Sequence, residues 1–122
     1  MVILVTNNPR AELAYREKLR VEYNDESLLT LLIRVRDYIQ SGCCLLTHPL
    51  SGSMKPNETP YKSILISGVD GETDPRSVQI IEGCLSTARK FEPARVPDKY
   101  LQDLQMIDLA LIGPALEKIQ QN

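Results

Sequence analysis

The sequence predicts an α/β fold, because short apolar strands alternate with capped helices along its first half. The segment VILVT (2–6) is apolar and β-branched, which is typical of a strand buried on both faces. Asn8 and Pro9 follow this strand and suit the N-cap and first turn of a helix, which we expect to run to about Leu19. The segment VEY (21–23) is then predicted as a short strand at a sheet edge.

The remaining elements follow from capping signals and apolar periodicity. NDES (24–27) offers N-cap residues before an apolar helix that Gly42 should end, and Arg34 is expected on its solvent face. CCLLT and SILIS read as the third and fourth strands, and Gly113-Pro114 should break or kink the last helix. The later elements are predicted as strands 43–47 and 63–67, helices 75–91 and 97–112, and a tail from residue 115.

The β-α-β-α-β order determines the predicted architecture. It favours parallel pairing, right-handed crossovers and helices on both faces of the sheet. We therefore predict a single domain over residues 1–122, a small three-layer sandwich with a mostly parallel, Rossmann-like four-stranded sheet. The direction of the fourth strand stays open, because the connection before it is long enough for either a parallel or an antiparallel return.

Composition and charge exclude several classes of protein. A chain of 122 residues with 43% hydrophobic and 25% charged residues has a globular profile. Its net charge is −2 and its basic residues are scattered, which argues against nucleic-acid and membrane-surface partners. No apolar run approaches the ~18–20 residues that a membrane span needs. The first residues lack the pattern of a signal peptide, so we expect a cytoplasmic protein.

Cysteine and histidine usage gives no indication of a metal or redox centre. The three cysteines, Cys43, Cys44 and Cys84, are an odd number without an export signal, which favours free thiols over a disulfide framework. Cys43 and Cys44 are expected to be small core residues rather than redox groups. One histidine without clustered carboxylates is too few ligands for a metal site, and we expect no cofactor.

The connection from Thr47 to Lys62 is the strongest indication of a functional site. It is long and polar, and compact domains seldom keep such a connection without a function. In open α/β sheets ligands bind beyond the carboxyl ends of the strands, so TNNP (6–9) should meet this loop if the first and third strands are neighbours. We predict a ligand-binding site formed by Thr6, Asn7, Asn8, Thr47, His48, Ser51, Gly52, Ser53, Lys55, Asn57, Glu58 and Lys62.

The chemistry of these segments favours a small anionic ligand. TNNP precedes a helix, whose unpaired first amides attract anions, although Asn8 could simply cap that helix. SGS (51–53) followed by Lys55 has the ingredients of an anion nest, although it is not a Walker loop and could be an ordinary surface loop. His48, the only histidine in the sequence, is a candidate catalytic residue. It could act as a general acid or base, but we favour a structural role in the loop.

Two other features stay open. Ser51 or Ser53 beside His48 could form a nucleophile and base, but the chain has no GxSxG elbow and Glu58 is the only evident acidic partner. Asp108 lies near the apolar face of the last predicted helix, where it could pair with an arginine or sit at the edge of that face.

Three segments resemble the GrdX family: TNNP near the start, LLTHPLSGSMKPNETPYKSILIS in the middle and DLQMIDLALI near the end. These are small proteins encoded with the glycine, sarcosine and betaine reductase genes of amino-acid-fermenting anaerobes. The resemblance implies an anaerobic cytoplasm and a selenoprotein reductase system that makes acetyl phosphate from glycine. It brings no settled activity and no catalytic residues. The motif positions are Thr6, Asn7, Asn8, Pro9, Thr47, His48, Pro49, Ser51, Gly52, Ser53, Lys55, Pro56, Asn57, Glu58, Thr59, Pro60, Tyr61 and Lys62.

Three functional hypotheses follow. The leading one is an accessory protein of the glycine reductase system that binds a small anion or a reductase subunit through the 6–9 turn and the 47–62 loop. The second is an enzyme acting on a small phosphorylated or carboxylated metabolite, with His48 as acid or base and Lys55 steadying negative charge. The third is a protein-docking module whose loop exposes Leu50, Met54 and Tyr61.

Overall fold

The computed structural model describes residues 1–50, 55–68 and 71–120 and contains three strands and four α-helices in its described part. A short 3-10 turn, Asp98–Tyr100, leads into the last helix. The strands are β1 (Val2–Thr6), β2 (Arg20–Tyr23) and β3 (Ser63–Ser67), and the helices are α1 (Pro9–Tyr15), α2 (Leu28–Gln40), α3 (Pro75–Arg89) and α4 (Leu101–Gln120).

The strands form a mixed sheet in the order β2-β1-β3. β1 runs parallel to β2 and antiparallel to β3, with Leu4 opposite Val21 on one side and Leu65 on the other. The α/β class is therefore confirmed, but the predicted four-stranded, mostly parallel, Rossmann-like sheet is wrong. The open question of the last strand is answered by an antiparallel return that places it directly beside β1.

The segment predicted as the third strand, 43–47, does not form one. It runs along the open edge of β3 and makes one isolated antiparallel bridge, between Leu45 and Ile66. Side-chain hydroxyls take several places that backbone groups would fill in a ladder: the Cys44 amide donates to Ser67 Oγ, and the Leu45 amide donates to Ser77 Oγ. Backbone hydrogen bonds from the Leu46 amide to the Leu65 carbonyl oxygen and from the Ser67 amide to the Cys44 carbonyl oxygen flank this bridge, but they do not continue into a regular ladder.

Helices cover both faces of the sheet, because successive strand residues point to opposite sides. Ile3 and Val5 of β1 face α2 and α3 in the larger apolar cluster, whereas Leu4 faces α1 and α4 in the smaller one. Cys43 and Cys84 are buried in the larger cluster and Cys44 is half-buried, and all three are free thiols. The smaller cluster packs α4 against the face of the sheet on which the candidate site lies.

The last helix does not end at Gly113-Pro114, so the predicted break and tail are wrong. α4 continues to Gln120. Ile112 and Leu116 lie one turn apart on either side of Pro114, and both are buried against the sheet. A proline within a helix costs about 3 kcal/mol. Burial of this apolar face offsets that cost, since a fully buried leucine contributes about 1.5–3 kcal/mol. The exposed ring of Pro114 points away from the core.

Arg34 was predicted to face solvent, but it closes one end of the sheet instead. Its guanidinium lies 2.6 Å from Glu26 Oε2 and donates to the carbonyl oxygens of Glu22 and Thr6.

α1 also ends at Tyr15 rather than at Leu19, where its end was predicted. Of the helices in the described part of the chain, none has the length and apolar character that a membrane crossing requires.

Candidate functional site

The end of β1 and the start of β3 meet at one point beneath α4. Because the two strands are antiparallel, Thr6 lies opposite Ser63 in the register. The side chains of both residues lie on the sheet face that packs against α4. This pairing brings TNNP and the end of the long loop together, although through a different strand order from the predicted one.

Asn7 ties the strand end to two separate segments. Its amide nitrogen Nδ2 donates to the carbonyl oxygens of Glu26, at 3.0 Å, and Pro60, at 2.8 Å. Its Oδ1 accepts from the backbone amide of Lys62 at 2.9 Å. The side chain is buried and its polar groups all bind backbone, so Asn7 positions Lys62 rather than contacting a ligand.

Asn8 links the start of α1 to α4. Its Oδ1 accepts from the Arg10 amide and caps α1. Its Nδ2 donates to the Gln105 carbonyl oxygen and to Asp108 Oδ2, both at 2.9 Å. Capping and a second role therefore coexist in this buried side chain, and the second role is to hold the Asp108 carboxyl group in place.

A chain of hydroxyl groups also ends at Asp108. Ser63 Oγ donates to Asp108 Oδ2 at 2.7 Å, and Thr6 Oγ1 lies 2.7 Å from Ser63 Oγ. The backbone amide of Asn8 donates to Thr6 Oγ1 at 3.0 Å, which completes the network. Asp108 Oδ2 thus accepts two buried hydrogen bonds, from Asn8 and Ser63, and these fix the orientation of the carboxyl group.

A cavity of about 120 Å³ opens beside this network. It is small, and its wall combines polar and apolar residues. Lys62, Ser63 and Asp108 contribute polar groups, and Leu111, Ile112 and Ala115 of α4 contribute apolar ones. The lining residues are Thr47, His48, Pro49, Lys62, Ser63, Asp108, Leu111, Ile112 and Ala115.

Lys62 is the unusual residue of the cavity, because it is a cation that is only 4% exposed. Burial lowers the pKa of Lys62, and the nearby Asp108 charge partly opposes that shift. Yet its ammonium makes neither an ion pair nor a hydrogen bond with any residue in the described ranges. A charge so largely removed from water is stabilised by an opposite charge, and the cavity offers space for a ligand that carries one.

Two loop residues complete the polar wall. Thr47 Oγ1 accepts from the Leu65 amide at 3.0 Å, which holds the loop against β3. His48 is exposed, and its Nδ1 accepts from the Leu50 amide at 3.2 Å. With Nδ1 an acceptor, a neutral His48 carries its proton on Nε2.

The predicted site residues fall into four groups. Thr47, His48 and Lys62 line the cavity. Thr6, Asn7 and Asn8 are not in its wall but hold the wall in place through hydrogen bonds. Lys55, Asn57 and Glu58 form an exposed turn in which the Lys55 amide donates to Glu58 Oε1, and this turn is not part of the cavity wall. Ser51, Gly52 and Ser53 lie outside the described residues, as does Met54.

The predicted site omitted Ser63 and Asp108, which carry the polar wall. Asp108 was expected near the apolar face of its helix, either paired with an arginine or at the edge of that face, and it is buried and accepts from Asn8 and Ser63 instead. A signal was present in the sequence: Leu104, Asp108, Ile112 and Leu116 follow one another at four-residue spacing, and all four are buried. A carboxylate within such a series must find polar partners when the helix packs.

A second cavity, of about 360 Å³, lies between the start of α2, the end of α3 and the loop prolines. Its wall is mainly apolar and includes Leu28, Pro60 and Phe91. The charged residues in this wall, Arg89 and Glu92, are both exposed. Within the described parts of the chain, no three histidine, cysteine or acidic side chains come close enough to form a metal site.

Comparison with known proteins identifies the family. No curated protein and no solved structure gives a significant match. The family model described as GrdX-like protein matches residues 3–117, which is nearly the whole chain and includes every described residue of the cavity wall. The expected resemblance is therefore confirmed, and the chain belongs to the GrdX-like protein family.

Proposed function

We propose that this GrdX-like protein binds a small anionic metabolite in the cavity beside Lys62, and that it serves as an accessory protein of the glycine reductase system in the cytoplasm. The observation that carries the proposal is Lys62, a residue that is only 4% exposed and that lines a cavity without an ionic partner in the described chain. Association with reductase subunits rests on what the family resemblance implies.

Electrostatics supports an anion at this position. A carboxylate or phosphate oxygen beside Lys62 would supply the charge partner that burial demands, and such pairs are strong in a site with little water. The Thr47 hydroxyl adds a donor: its oxygen already accepts from the Leu65 amide, and its proton has no acceptor among the residues described. The volume of about 120 Å³ suits a ligand of a few heavy atoms.

The rival hypotheses draw less support from the geometry. The enzyme hypothesis retains His48 and gains Lys62 in the cavity wall, but Lys55, its intended electrostatic group, lies in the exposed turn. The docking hypothesis needs Leu50 and Tyr61 exposed. Instead Leu50 packs against the larger apolar cluster, and the half-buried Tyr61 hydroxyl accepts from Gln105 Nε2 at 2.9 Å.

A thermal-shift screen tests the proposal. Acetate, inorganic phosphate and acetyl phosphate are offered to the wild type, and a ligand at ~100 times its dissociation constant stabilises by about 2.7 kcal/mol. Lys62→Met should abolish the shift, because it keeps the length of the side chain but removes the charge. Lys55→Met is the matched control and should leave the shift intact.

Three outcomes would overturn the proposal: no shift in the wild type with any of the three anions, an unchanged shift in Lys62→Met, or loss of the shift in Lys55→Met alone. Circular dichroism of each variant separates lost binding from lost folding. If Lys62→Met does not fold, Thr47→Val provides the second variant, and we expect it to weaken binding through the missing hydroxyl donor.

A further inference from the structure

We infer that the ligand of this cavity is a small zwitterion, an α-amino acid the size of glycine or alanine, with its carboxylate at Lys62 and its ammonium at Asp108. This inference rests on the proposed function and names the class of its ligand. It starts from the second oxygen of the Asp108 carboxyl group, which the network described above leaves unused.

Asp108 is one of the residues that line the cavity. The residue is only 5% exposed, and its Oδ2 is held by Asn8 and Ser63. Its Oδ1 accepts no hydrogen bond from any residue in the described part of the chain. A carboxylate has about four acceptor positions, so Asp108 retains acceptor capacity for a ligand. An ammonium group, with three donors, is the complement of that oxygen.

The opposite charges at the cavity do not neutralise each other by contact. Lys62 and Asp108 line the same cavity and interact electrostatically, yet they form no ion pair. A ligand with both charges on one short carbon skeleton would pair with both groups at once. A simple anion would satisfy Lys62 but would also meet the Asp108 charge, and like charges at close range repel.

The remaining wall limits the size and nature of the side chain. Leu111, Ile112 and Ala115 contribute apolar surface to the cavity wall beside its polar groups. A hydrogen or a methyl group fits that side without leaving a polar group unpaired. Larger side chains exceed the volume of about 120 Å³, so we expect glycine and alanine to bind and leucine to be rejected.

Isothermal titration calorimetry with matched ligands tests the inference on the wild type. Glycine carries both charges, acetate lacks the ammonium, and methylammonium lacks the carboxylate. We expect glycine to bind at least tenfold more tightly than acetate and methylammonium to bind no more tightly than acetate. Glycinamide, which keeps the amine but lacks the carboxylate charge, should lose most of the affinity of glycine.

Variants assign the preference to Asp108. Asp108→Asn keeps an oxygen for Asn8 and Ser63 but removes the charge, so we expect the advantage of glycine over acetate to fall to less than threefold. Asp103→Asn, an exposed change on the same helix, should leave the advantage intact. If Asp108→Asn does not fold, the wild-type ligand series alone decides.

The outcomes separate this inference from the proposed function. Acetate binding as tightly as glycine, with both lost in Lys62→Met, would refute the zwitterion and leave the anion site standing. Absence of binding by glycine, acetate, phosphate and acetyl phosphate would refute both. A glycine preference that survives in Asp108→Asn would refute the assignment of the ammonium to Asp108.

Discussion

Replacing Asp108 with alanine should destabilise the fold well beyond the effect of an ordinary surface change on the same helix. The substitution removes the acceptor of two buried hydrogen bonds, from Asn8 and Ser63, while Asn8 keeps its bond to the Gln105 carbonyl oxygen. Hydrogen bonds to a charged group contribute about 1.5–3 kcal/mol each. It also removes the opposite charge of Asp108 that acts on Lys62. We therefore expect a loss of about 3 kcal/mol.

Urea unfolding at neutral pH measures this loss directly. Asp108→Asn keeps one oxygen for the two donors and should lose only about 1 kcal/mol, and the exposed Asp103→Ala should lose about 0.5 kcal/mol or less. A loss below about 0.5 kcal/mol in Asp108→Ala would contradict the account, because a buried acceptor of two donors cannot be removed that cheaply.

Three further predictions concern the support of the site and the fold. Asn7→Ala removes three hydrogen bonds to backbone and should cost about 2–4 kcal/mol in urea unfolding, whereas the exposed Asn57→Ala should change stability by less than about 0.5 kcal/mol. Gly42→Ala should lower the free energy of unfolding by about 1–2 kcal/mol, because Gly42 has a φ of 107° that alanine adopts only with strain. Gly83→Ala should raise it by about 0.5–1 kcal/mol, because Gly83 is exposed within α3 and has open space around it, and equal effects of the two substitutions would contradict this reasoning. Hydrogen bonds from Ser77 lower the pKa of the Asp74 carboxyl group, which caps α3. The contribution of Asp74 to stability is therefore present above about pH 4 and is lost as the pH falls through the lowered native pKa. Urea unfolding midpoints measured between about pH 2 and pH 7 should depend less on pH in Asp74→Asn than in the wild type.

Local signals in the sequence predicted most of the secondary structure. Strands at 2–6 and 63–67 were predicted from short apolar runs, and the start of α1 from a cap residue before a proline. The segment 43–47 carries an equally apolar signal, but the amides of Cys44 and Leu45 bind the hydroxyl groups of Ser67 and Ser77, and the segment makes a single bridge with β3. Strand direction was also beyond local signals, because it depends on which strand reaches β1.

The site was predicted in part for the same reason. Lys62 and Thr47 belong to a loop whose length indicates a functional site, and Asn8 closely follows a predicted strand. Asp108 was harder, because its partner Asn8 lies 100 residues away in the sequence and only the packing of α4 brings the two together. A lone carboxylate on the apolar face of a helix indicates that a buried polar partner exists, but it does not indicate which residue that partner is.

The pKa of Lys62, followed by NMR of its labelled side chain with and without acetate, tests the central claim most directly. The account predicts a pKa below the usual lysine value of about 10.4 in the free protein, because burial disfavours the charge, and a rise when acetate binds beside it. A pKa at the usual value that acetate leaves unchanged would show a solvated side chain with no anion beside it, and would contradict the account.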